Sequence, residues 1–269
     1  MTTASNDWLG LAGKLCVITG AAGGIGRATA VSFAQAGVQV VLLDRNEQEL
    51  EETARAVSQV QNGRALAFPC DISDSAAVTA VAEKSKAAAG PCDILVNNAG
   101  LLRPGALETL SLAEWNGLLA VNLSGYLLCA QAFGVQMRGK GGGAIVHVAS
   151  IAGSQPQAQS GAYSASKTGV IMLSRQIAVE WGPAGIRSNV VSPGLVETPM
   201  SQAFYATPGV RERRSALVPM RRIAQPQDIA DAILFLASRR ASYVSGDEIV
   251  VDGGYTQMLM SMMPRPGYE

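Results

Sequence analysis

Short apolar runs alternate with longer amphipathic stretches along almost the whole chain, and this alternation constrains the fold more than any other feature. Several runs are apolar on both faces, as strands are when helices cover both sides of a parallel sheet. The predicted strands are 14–19, 38–43, 64–68, 93–96, 144–149, 186–191 and 248–251. The predicted helices lie near 25–36, 46–60, 74–89, 111–137, 162–181 and 226–237. Right-handed crossovers between such strands predict an α/β fold with a doubly wound parallel seven-stranded sheet and helices on both faces.

Composition excludes several classes of function. The 269 residues carry 21 basic and 21 acidic side chains, so the chain offers no general positive field for a nucleic acid. No stretch approaches about 18 uninterrupted apolar residues, and the N-terminus lacks the basic and apolar regions of a secretory signal. We therefore expect a single cytoplasmic domain over residues 1–269, with no membrane span and no nucleic acid partner.

The cysteines and the single histidine predict no metal site. Cys16, Cys70, Cys92 and Cys129 stand alone in apolar surroundings without the paired spacing of zinc ligands, so we interpret them as core residues. His147 is the only histidine, which excludes His-based metal clusters and argues against a Ser-His-Asp triad.

A glycine-rich turn follows the first predicted strand and leads into a helix. Its sequence is Thr19-Gly20-Ala21-Ala22-Gly23-Gly24-Ile25-Gly26. Glycines allow the backbone to approach a pyrophosphate, which binds favourably to the amides of a helix N-terminus. The spacing differs from the Gly-x-Gly-x-x-Gly fingerprint of the commonest dinucleotide folds, so a tight turn that binds nothing is the alternative.

Asp44 supports the interpretation as a dinucleotide site and predicts which dinucleotide binds. It ends the second predicted strand, 24 residues after Gly20, about where a carboxylate binds the adenosine ribose hydroxyls. A carboxylate there would repel the 2′-phosphate of NADP, which favours NAD. Arg45 follows directly and could receive that phosphate, so NADP stays open, and a solvated turn residue is the alternative for Asp44.

Three polar residues indicate acid–base chemistry at a carbonyl or an alcohol. Tyr163 and Lys167 lie four residues apart and therefore on one helix face. A nearby ammonium stabilises a phenolate, so Lys167 is expected to lower the pKa of Tyr163. Ser150, 13 residues upstream of the tyrosine, can donate a hydrogen bond to the substrate oxygen. As an isolated pair, Tyr163 and Lys167 would more simply be partly exposed helix residues.

The chain resembles the short-chain dehydrogenase/reductases over essentially its whole length. The motifs that carry the resemblance, in order, are Thr19-Gly20-Ala21-Ala22-Gly23-Gly24-Ile25-Gly26, Asp71-Ile72, Asn97-Asn98-Ala99-Gly100, Asn122 in Val-Asn-Leu-Ser-Gly, Ser150, Tyr163-Ser-Ala-Ser-Lys167 and Pro193-Gly194-Leu195-Val196-Glu197-Thr198. The resemblance implies a Rossmann-like fold and an oxidoreductase that transfers a hydride between NAD(H) and a secondary alcohol or ketone. Tyr163 would then act as acid and base, Lys167 would lower its pKa, and Ser150 would orient the substrate oxygen.

The resemblance also implies which residues hold the cofactor. Asp71 and Ile72 resemble a pair that lines the adenine pocket, and residues 98–100 resemble a segment packed along the adenosine ribose. Pro193 and Gly194 belong to the motif whose Val196 and Thr198 match positions that hold the nicotinamide carboxamide. The implied cofactor-binding residues are Gly20, Gly24, Ile25, Gly26, Asp44, Arg45, Asp71, Ile72, Asn98, Ala99, Gly100, Tyr163, Lys167, Pro193, Gly194, Val196 and Thr198.

Two residues gain roles through the resemblance alone. Asn122 matches a helix asparagine that holds a water in a proton relay through Lys167 to Tyr163. Lys167 also resembles the residue that binds the nicotinamide ribose, so the implied catalytic residues are Asn122, Ser150, Tyr163 and Lys167.

Residues 195–225 contain three prolines and little strand character, which predicts a long loop that serves as a substrate lid. The candidate substrate-facing positions are 154–159, with Gln155 and Gln157 as orienting groups, and Leu195, Met200, Phe204 and Tyr205. Most are apolar, so a hydrophobic secondary alcohol or ketone fits. We interpret Arg211, Arg213 and Arg214 as a solvated helix face, with attraction of an anionic substrate such as an acyl thioester as the alternative.

Two other functions stay open at the level of sequence. Arg45 and the arginine cluster permit an NADPH-dependent reductase of 3-oxoacyl thioesters. A noncatalytic NAD-binding regulator is the second, although such a protein would be expected to lose Tyr163 or Lys167, and both are present.

The resemblance implies a homotetramer with two-fold axes. The predicted helices 111–137 and 162–181 carry more apolar positions than one sheet-facing stripe needs, including Ala162, Ala165, Val170, Ile171, Leu173 and Ile177. The Met-rich tail at 258–264 would be a hazardous apolar segment on a monomer. We expect both regions to contact other subunits or, for the tail, to cover a pocket.

Overall fold

Seven strands in the described part of the chain form one parallel sheet in the order β3-β2-β1-β4-β5-β6-β7. The computed structural model describes residues 7–263 and 267, so residues 1–6 and Pro264 of the predicted tail lie outside the described residues. The strands are β1 (Leu15–Thr19), β2 (Gln39–Asp44), β3 (Ala65–Pro69), β4 (Ile94–Asn97), β5 (Gly143–Val148), β6 (Ile186–Pro193) and β7 (Glu248–Val251). The predicted doubly wound sheet is confirmed, and no predicted strand end differs by more than two residues.

Helices cover both faces of this sheet. They are α1 (Gly24–Gln35), α2 (Glu47–Ser58), α3 (Ser75–Ala89), α4 (Leu112–Leu119), α5 (Gly125–Arg138), α6 (Tyr163–Trp181), α7 (Pro199–Tyr205), α8 (Val210–Leu217) and α9 (Pro226–Ala237). Successive residues of β2 point to opposite faces, as the strand period of two requires. Val40 and Leu42 pack in the core beneath α1, α2 and α9, whereas Val41 and Leu43 pack beneath α3, α5 and α6.

The predicted helix 111–137 contains an interruption. A π-helical turn, Ala120–Ser124, joins α4 to α5 within one continuous helix, Leu112–Arg138. By length and composition alone this helix could cross a membrane, although it contains no uninterrupted apolar run of about 18 residues. In the structure Phe133 and Met137 are fully buried against the sheet, as in the core helix of a globular domain. The helix is therefore only weak evidence for a membrane span.

The prediction of a long loop at 195–225 was wrong in its secondary structure, because this segment contains α7 and α8. Both helices are shorter than three turns, so neither produces a long apolar period in the sequence. Pro199 occupies the first position of α7, where a missing amide hydrogen costs nothing because first-turn amides lack helical partners. A proline that looked like a helix breaker therefore starts a helix.

The cysteines lie where the sequence predicted. All four are buried and free, and burial raises the pKa of the Cys70 thiol to about 11. Within residues 7–263, no group of three or more His, Cys, Asp or Glu side chains is arranged to hold a metal ion.

The structure leaves only part of the predicted set on α6 available for subunit contacts. Ala165 is exposed and Leu173 is half-buried, whereas Ala162, Val170, Ile171 and Ile177 are buried within the chain itself. They pack under the sheet in the α3–α5–α6 core or, for Ala162, at the start of the helix. The exposed apolar side chains of α6 lie on a different face of this helix.

The sheet order creates a cleft between β1 and β4. These neighbours are followed by connections that run to opposite sides, toward β2 and toward β5. In open α/β sheets such a switch point separates the loops at the carboxyl ends of the strands and leaves room for a ligand. The candidate residues from the glycine turn and from the ends of β2, β4, β5 and β6 converge there.

Candidate active site

A cavity of about 440 Å³ opens at the carboxyl ends of the strands, within the range of roughly 300–1,000 Å³ found for small-molecule sites. It brings together nearly all of the candidate residues. The candidates that line it are Gly20, Gly24, Ile25, Asp44, Arg45, Asp71, Ile72, Asn98, Ala99, Gly100, Ser150, Tyr163, Lys167, Pro193, Gly194, Val196 and Thr198. Gly26 and Asn122 are the two that do not line it.

The glycine turn is packed too closely for larger residues. Gly20 has φ +66°, and a Cβ there would lie 2.6 Å from the Cα of Ala99. A Cβ on Gly26 would lie 2.1 Å from the carbonyl oxygen of Gly20. Gly26 therefore allows the turn to close against the helix, and its predicted part in cofactor binding stays a prediction.

The N-terminus of α1 is suited to an anion. It has no capping side chain and no acidic residue in its first turn, whereas α2, α3 and α4 are capped by Asn46, Asp74 and Ser111. The first amides of a helix have no helical partner, so uncapped amides facing a cavity favour a negatively charged ligand. A dinucleotide pyrophosphate fits this end of α1.

Two carboxylates, those of Asp44 and Asp71, line one end of the cavity. Asp44 ends β2, and its carboxylate accepts hydrogen bonds from the amides of Ala22 and Asn46 at 3.2 and 3.0 Å. Arg45 turns toward Asp71, with 3.8 Å between Nη1 and Oδ2. The hydrogen bond from Ser73 lowers the pKa of Asp71, with Arg45 a smaller cause. Both aspartates can accept hydrogen bonds from ribose or adenine, and the nearest cation is already paired.

Ser150, Tyr163 and Lys167 meet at the other end of the cavity. Ser150 follows β5, and its side chain lies close enough to Tyr163 to oppose the rise of the phenol pKa. The Lys167 Nζ lies 5.7 Å from the centroid of the Tyr163 ring. Burial lowers the pKa of Lys167 to about 7. Burial also raises the pKa of Tyr163, outweighing the opposing effect of Ser150, so the predicted lowering of this pKa by Lys167 is not what the structure gives.

The ammonium of Lys167 has a second aromatic neighbour that the sequence analysis missed. Its Nζ donates to the carbonyl oxygen of Val148 at 2.9 Å and lies 3.5 Å from the hydroxyl of Tyr126. Tyr126 is fully buried, donates to the same Val148 carbonyl at 3.1 Å, and stacks on His147. Burial lowers the pKa of His147 to about 3, so this lone histidine stays neutral beneath the site. The only sequence feature that could have indicated this contact is a tyrosine on the core-facing side of an apolar helix.

Asn122 lies in the π turn and is fully buried. Its amide nitrogen donates to the carbonyl of Leu101 and to the hydroxyl of Ser166, and its side-chain oxygen accepts from the Leu101 amide. The side chain thus ties the loop after β4 to the helix that carries Tyr163 and Lys167. π-bulges occur often at functional sites, where they turn a side chain out of the regular helical pattern.

The predicted substrate-facing positions lie partly in the cavity. Gln157, Leu195, Met200, Phe204 and Tyr205 line it, whereas Gln155 does not. The sequence analysis did not identify four further apolar lining residues, namely Leu101, Leu102, Val121 and Ala149. Val121 lies in the π turn and the other three lie in loops, where no periodic pattern could reveal them.

The arginine cluster divides into three different environments. Arg211 forms a bidentate ion pair with Glu197, and Arg213 is exposed. Arg214 is half-buried and lines the cavity, packed on the rings of Phe204 and Tyr205 at 4.8 and 5.4 Å. The interpretation as a solvated face therefore holds for Arg211 and Arg213, which are exposed, and fails for Arg214.

Comparison with known proteins agrees with this geometry. A family model described as enoyl-(acyl carrier protein) reductase matches residues 20–256. A D-threitol dehydrogenase from Mycolicibacterium smegmatis is 42% identical over 246 residues, which cover 91% of this chain and 94% of that protein.

Two solved structures extend the likeness to ligand-bound relatives. A gluconate 5-dehydrogenase from Burkholderia cenocepacia, in complex with NADP and tartrate, has a TM-score of 0.88 and 32% identity, covering 93% of this chain and 98% of that one. A 7α-hydroxysteroid dehydrogenase with NADH and 7-oxo glycochenodeoxycholic acid has a TM-score of 0.88 and 35% identity, covering 92% and 96%. Sequence, fold and family model together show that this chain is an oxidoreductase that belongs to the short-chain dehydrogenase/reductase family.

Proposed function

We propose that this protein is an NAD-dependent dehydrogenase that interconverts a secondary alcohol and a ketone. The observation that carries the proposal is the cavity itself. Ser150, Tyr163 and Lys167 lie at one end, the uncapped α1 N-terminus lies in the middle, and Asp44 lies at the other end. A dinucleotide and a small alcohol are the ligand pair that uses all three parts.

Asp44 supports NAD over NADP as the cofactor. Its carboxylate would accept the ribose hydroxyls, and a 2′-phosphate at that place would meet like charge. Arg45 is oriented toward Asp71 by their ion pair, so it does not neutralise Asp44. The glycine turn would hold the pyrophosphate, and Val196 and Thr198 would hold the carboxamide. When bound, the nicotinamide supplies the acceptor or donor of the hydride.

The chain itself supplies the proton chemistry. With its pKa raised by burial, Tyr163 is protonated at neutral pH and can donate its phenolic proton to a carbonyl oxygen that accepts a hydride. Ser150 would donate a second hydrogen bond to the same oxygen and stabilise its developing charge. In the oxidative direction the phenol must first lose its proton, and a protonated Lys167 favours the resulting phenolate.

Asn122 would act as a positioning residue in this scheme. Both donors of its amide are used by Leu101 and Ser166, so its side chain fixes the Gly100–Leu101 backbone against α6. A relay water would then be held at the main chain of the π turn rather than by this amide. Through this backbone contact Asn122 helps keep Lys167 beside Tyr163.

We place the enzyme in the cytoplasm as a homotetramer. The exposed apolar side chains on α5, α6 and the C-terminal segment support assembly. A small secondary alcohol is the substrate that we favour, and the D-threitol dehydrogenase, one of the relatives of 42% identity, supports it. Reduction of 3-oxoacyl thioesters by NADPH is the second candidate, favoured by the acyl-carrier-protein description of the matching family model.

The proposal is tested by Tyr163→Phe, assayed with NAD and NADP across a panel of secondary alcohols and ketones. We expect the variant to lose nearly all turnover and to keep NAD binding close to wild type, because the phenol transfers a proton but adds little to cofactor binding. Tyr243→Phe, at a fully exposed tyrosine, is the matched control and keeps wild-type turnover. Retention of more than about a tenth of the wild-type rate by Tyr163→Phe would overturn the assignment.

A further inference from the structure

The charged residues that line the cavity fall into two groups, separated by the switch point. Asp44, Arg45, Glu49 and Asp71 follow β2 and β3. On the other side, among the lining residues that the structure describes, the charged groups are Lys167 and Arg214, both basic. The described lining residues after β4 therefore include basic side chains and no acidic ones, which favours an anionic ligand.

Arg214 is fixed in place but has no partner for its charge. Its guanidinium packs on the rings of Phe204 and Tyr205, and such stacking orients the planar group while leaving its N–H edge free. No carboxylate of the described residues lies within ion-pair distance of it, and it donates no hydrogen bond to any of them. Its neighbour Arg211, in contrast, is neutralised by Glu197.

Arg214 lies on α8, the second helix of the segment that follows β6. Its stacking partner Phe204 lines the same cavity as Ser150 and Tyr163. Its other partner, Tyr205, also lines a second pocket beside Gly24 and Arg27 of α1. A cofactor phosphate is therefore the competing anion that the experiment has to distinguish.

We propose that Arg214 binds a carboxylate of the substrate, so that the physiological substrate is a hydroxy or oxo acid whose reacting carbon lies at Tyr163. The inference rests on the proposed function for the identity of the reacting group. The anion-binding role itself rests only on the cavity, the stacking and the absent counter-charge. A planar guanidinium accommodates a carboxylate through two parallel hydrogen bonds. The apolar lining between Arg214 and Tyr163 then contacts the carbon skeleton.

A binding experiment tests the proposal without depending on turnover. Cyclohexanecarboxylate and cyclohexanecarboxamide have the same shape and differ in charge, and neither contains an alcohol or ketone that can react. Each is titrated into the full-length protein by calorimetry, with and without NADH. We expect wild type to bind the carboxylate at least about tenfold more tightly than the amide, as hydrogen bonds to charged groups contribute roughly 1.5–3 kcal/mol.

Three variants identify the side chain responsible. Arg214→Gln should remove the preference for the carboxylate, and Arg214→Lys should retain part of it. Arg213→Gln loses the same charge from the same helix outside the cavity, and it should keep the full preference. Equal binding of the two ligands by wild type, or an unchanged preference in Arg214→Gln, would overturn the proposal.

The same variants distinguish a substrate anion from a cofactor phosphate. If Arg214→Gln weakens NADH or NADPH about tenfold while the carboxylate preference is unchanged, Arg214 binds a phosphate and the proposal is wrong. Loss of the preference with cofactor affinity unchanged supports a substrate carboxylate. Failure of the proposed reaction would appear separately, as absence of turnover in a protein that still shows the Arg214-dependent preference.

Discussion

Lys167 of the candidate site is buried in an environment that disfavours its charged form. Lys167 is almost fully buried and is surrounded by Tyr126, Tyr163 and a single carbonyl, with no described carboxylate in ion-pair contact. A buried ammonium without a counter-charge loses hydration, which is the reason its pKa falls to about 7. The residue therefore reduces the free energy of unfolding at neutral pH.

This cost predicts a stabilising substitution, Lys167→Met. The lowering of this pKa from 10.5 to about 7 destabilises the folded state by about 5 kcal/mol below pH 7. The variant regains this free energy but loses the hydrogen bond to Val148, which offsets about 1 kcal/mol of the gain. Because the folded pKa is the lower one, the unfolded chain binds more protons between pH 7 and 10.5, and wild-type stability rises there. We expect the inactive variant to be about 3–4 kcal/mol more stable at pH 6, with the difference shrinking toward pH 10.

Urea unfolding of both proteins at pH 6, 8 and 10 measures this difference. Lys84→Met, at an exposed lysine of α3, is the control and should not reproduce the pH-dependent gain. A variant less stable than wild type at pH 6 would contradict the description of Lys167 as a buried, uncompensated cation.

The proposed preference for NAD also depends on one residue, Asp44. We expect Asp44→Ala to lower kcat/KM for NAD about tenfold or more, because hydrogen bonds to a charged group are lost. The same change removes the repulsion of a 2′-phosphate, so the NADP to NAD ratio of kcat/KM should rise at least about tenfold. Steady-state kinetics with both cofactors measure the ratio, with Glu51→Ala on the exposed face of α2 as control. An unchanged ratio would remove Asp44 from its proposed role.

Among the elements, α7 and α8 are attached to the body of the domain by a few exposed polar contacts. Glu197 pairs with Arg211 of α8 and accepts a hydrogen bond from Gln225 at 3.1 Å. The hydrogen bond from Arg211 lowers the pKa of Glu197 to about 2, so the pair persists through mildly acidic conditions. Since Glu197 stands between Val196 and Thr198, this contact links the proposed lid to the proposed carboxamide positions.

We expect Glu197→Gln to loosen the proposed lid, because the neutral amide keeps hydrogen bonds but loses the ion pair. Chymotrypsin cleavage at Phe204 and Tyr205 should become several-fold faster, and the substrate KM should rise. Lys140→Gln, which breaks a surface ion pair with Asp93 outside this segment, is the matched control and should leave both quantities unchanged. Cleavage at the wild-type rate would show that this ion pair does not hold the lid.

Elements with a strong period were predictable and elements without one were not. The strands and the long helices follow from hydrophobic periodicity, and α9 coincides with its predicted range. The helices α7 and α8 are too short to show a period, and the π turn adds a residue that no propensity scale detects. At the site, motif order identified most residues of the cavity. Contacts that depend on tertiary packing, such as Tyr126 with Lys167 and Arg214 with Phe204, had no local signal.

At the scale of the whole molecule, eight of the exposed large apolar side chains fall into two groups along the chain. One lies on α5 and α6, and it consists of Leu127, Val135, Met172 and Val179. The other lies in the C-terminal segment, and it consists of Leu259, Met260, Met262 and Met263. Monomeric proteins rarely expose such groups, which support the proposed tetramer with two different interfaces.

We expect light scattering to give four times the 27.9 kDa chain mass at micromolar concentration. Val179→Glu and truncation after Tyr255 should each reduce the assembly, because each removes one apolar group, and the truncation should also alter substrate affinity. Leu217→Glu, at an exposed leucine of α8 outside both groups, should leave the tetramer intact. A fully active monomer would show that neither group is an interface.

The strand order also determines how the sheet can form while the chain is being synthesised. Going outward from β1, strands β2 and β3 add in sequence to one edge, and β5, β6 and β7 add in sequence beyond β4. β4 is the exception, because it pairs with β1 rather than with the preceding strand β3. Its Ile94 lies opposite Cys16, about 80 residues earlier in the chain. Until β4 pairs, the edge of β1, a strand that is buried throughout in the folded protein, is unpaired, and unpaired edges are where nascent chains associate wrongly. We therefore expect the chain to be most prone to wrong association before β4 has been synthesised.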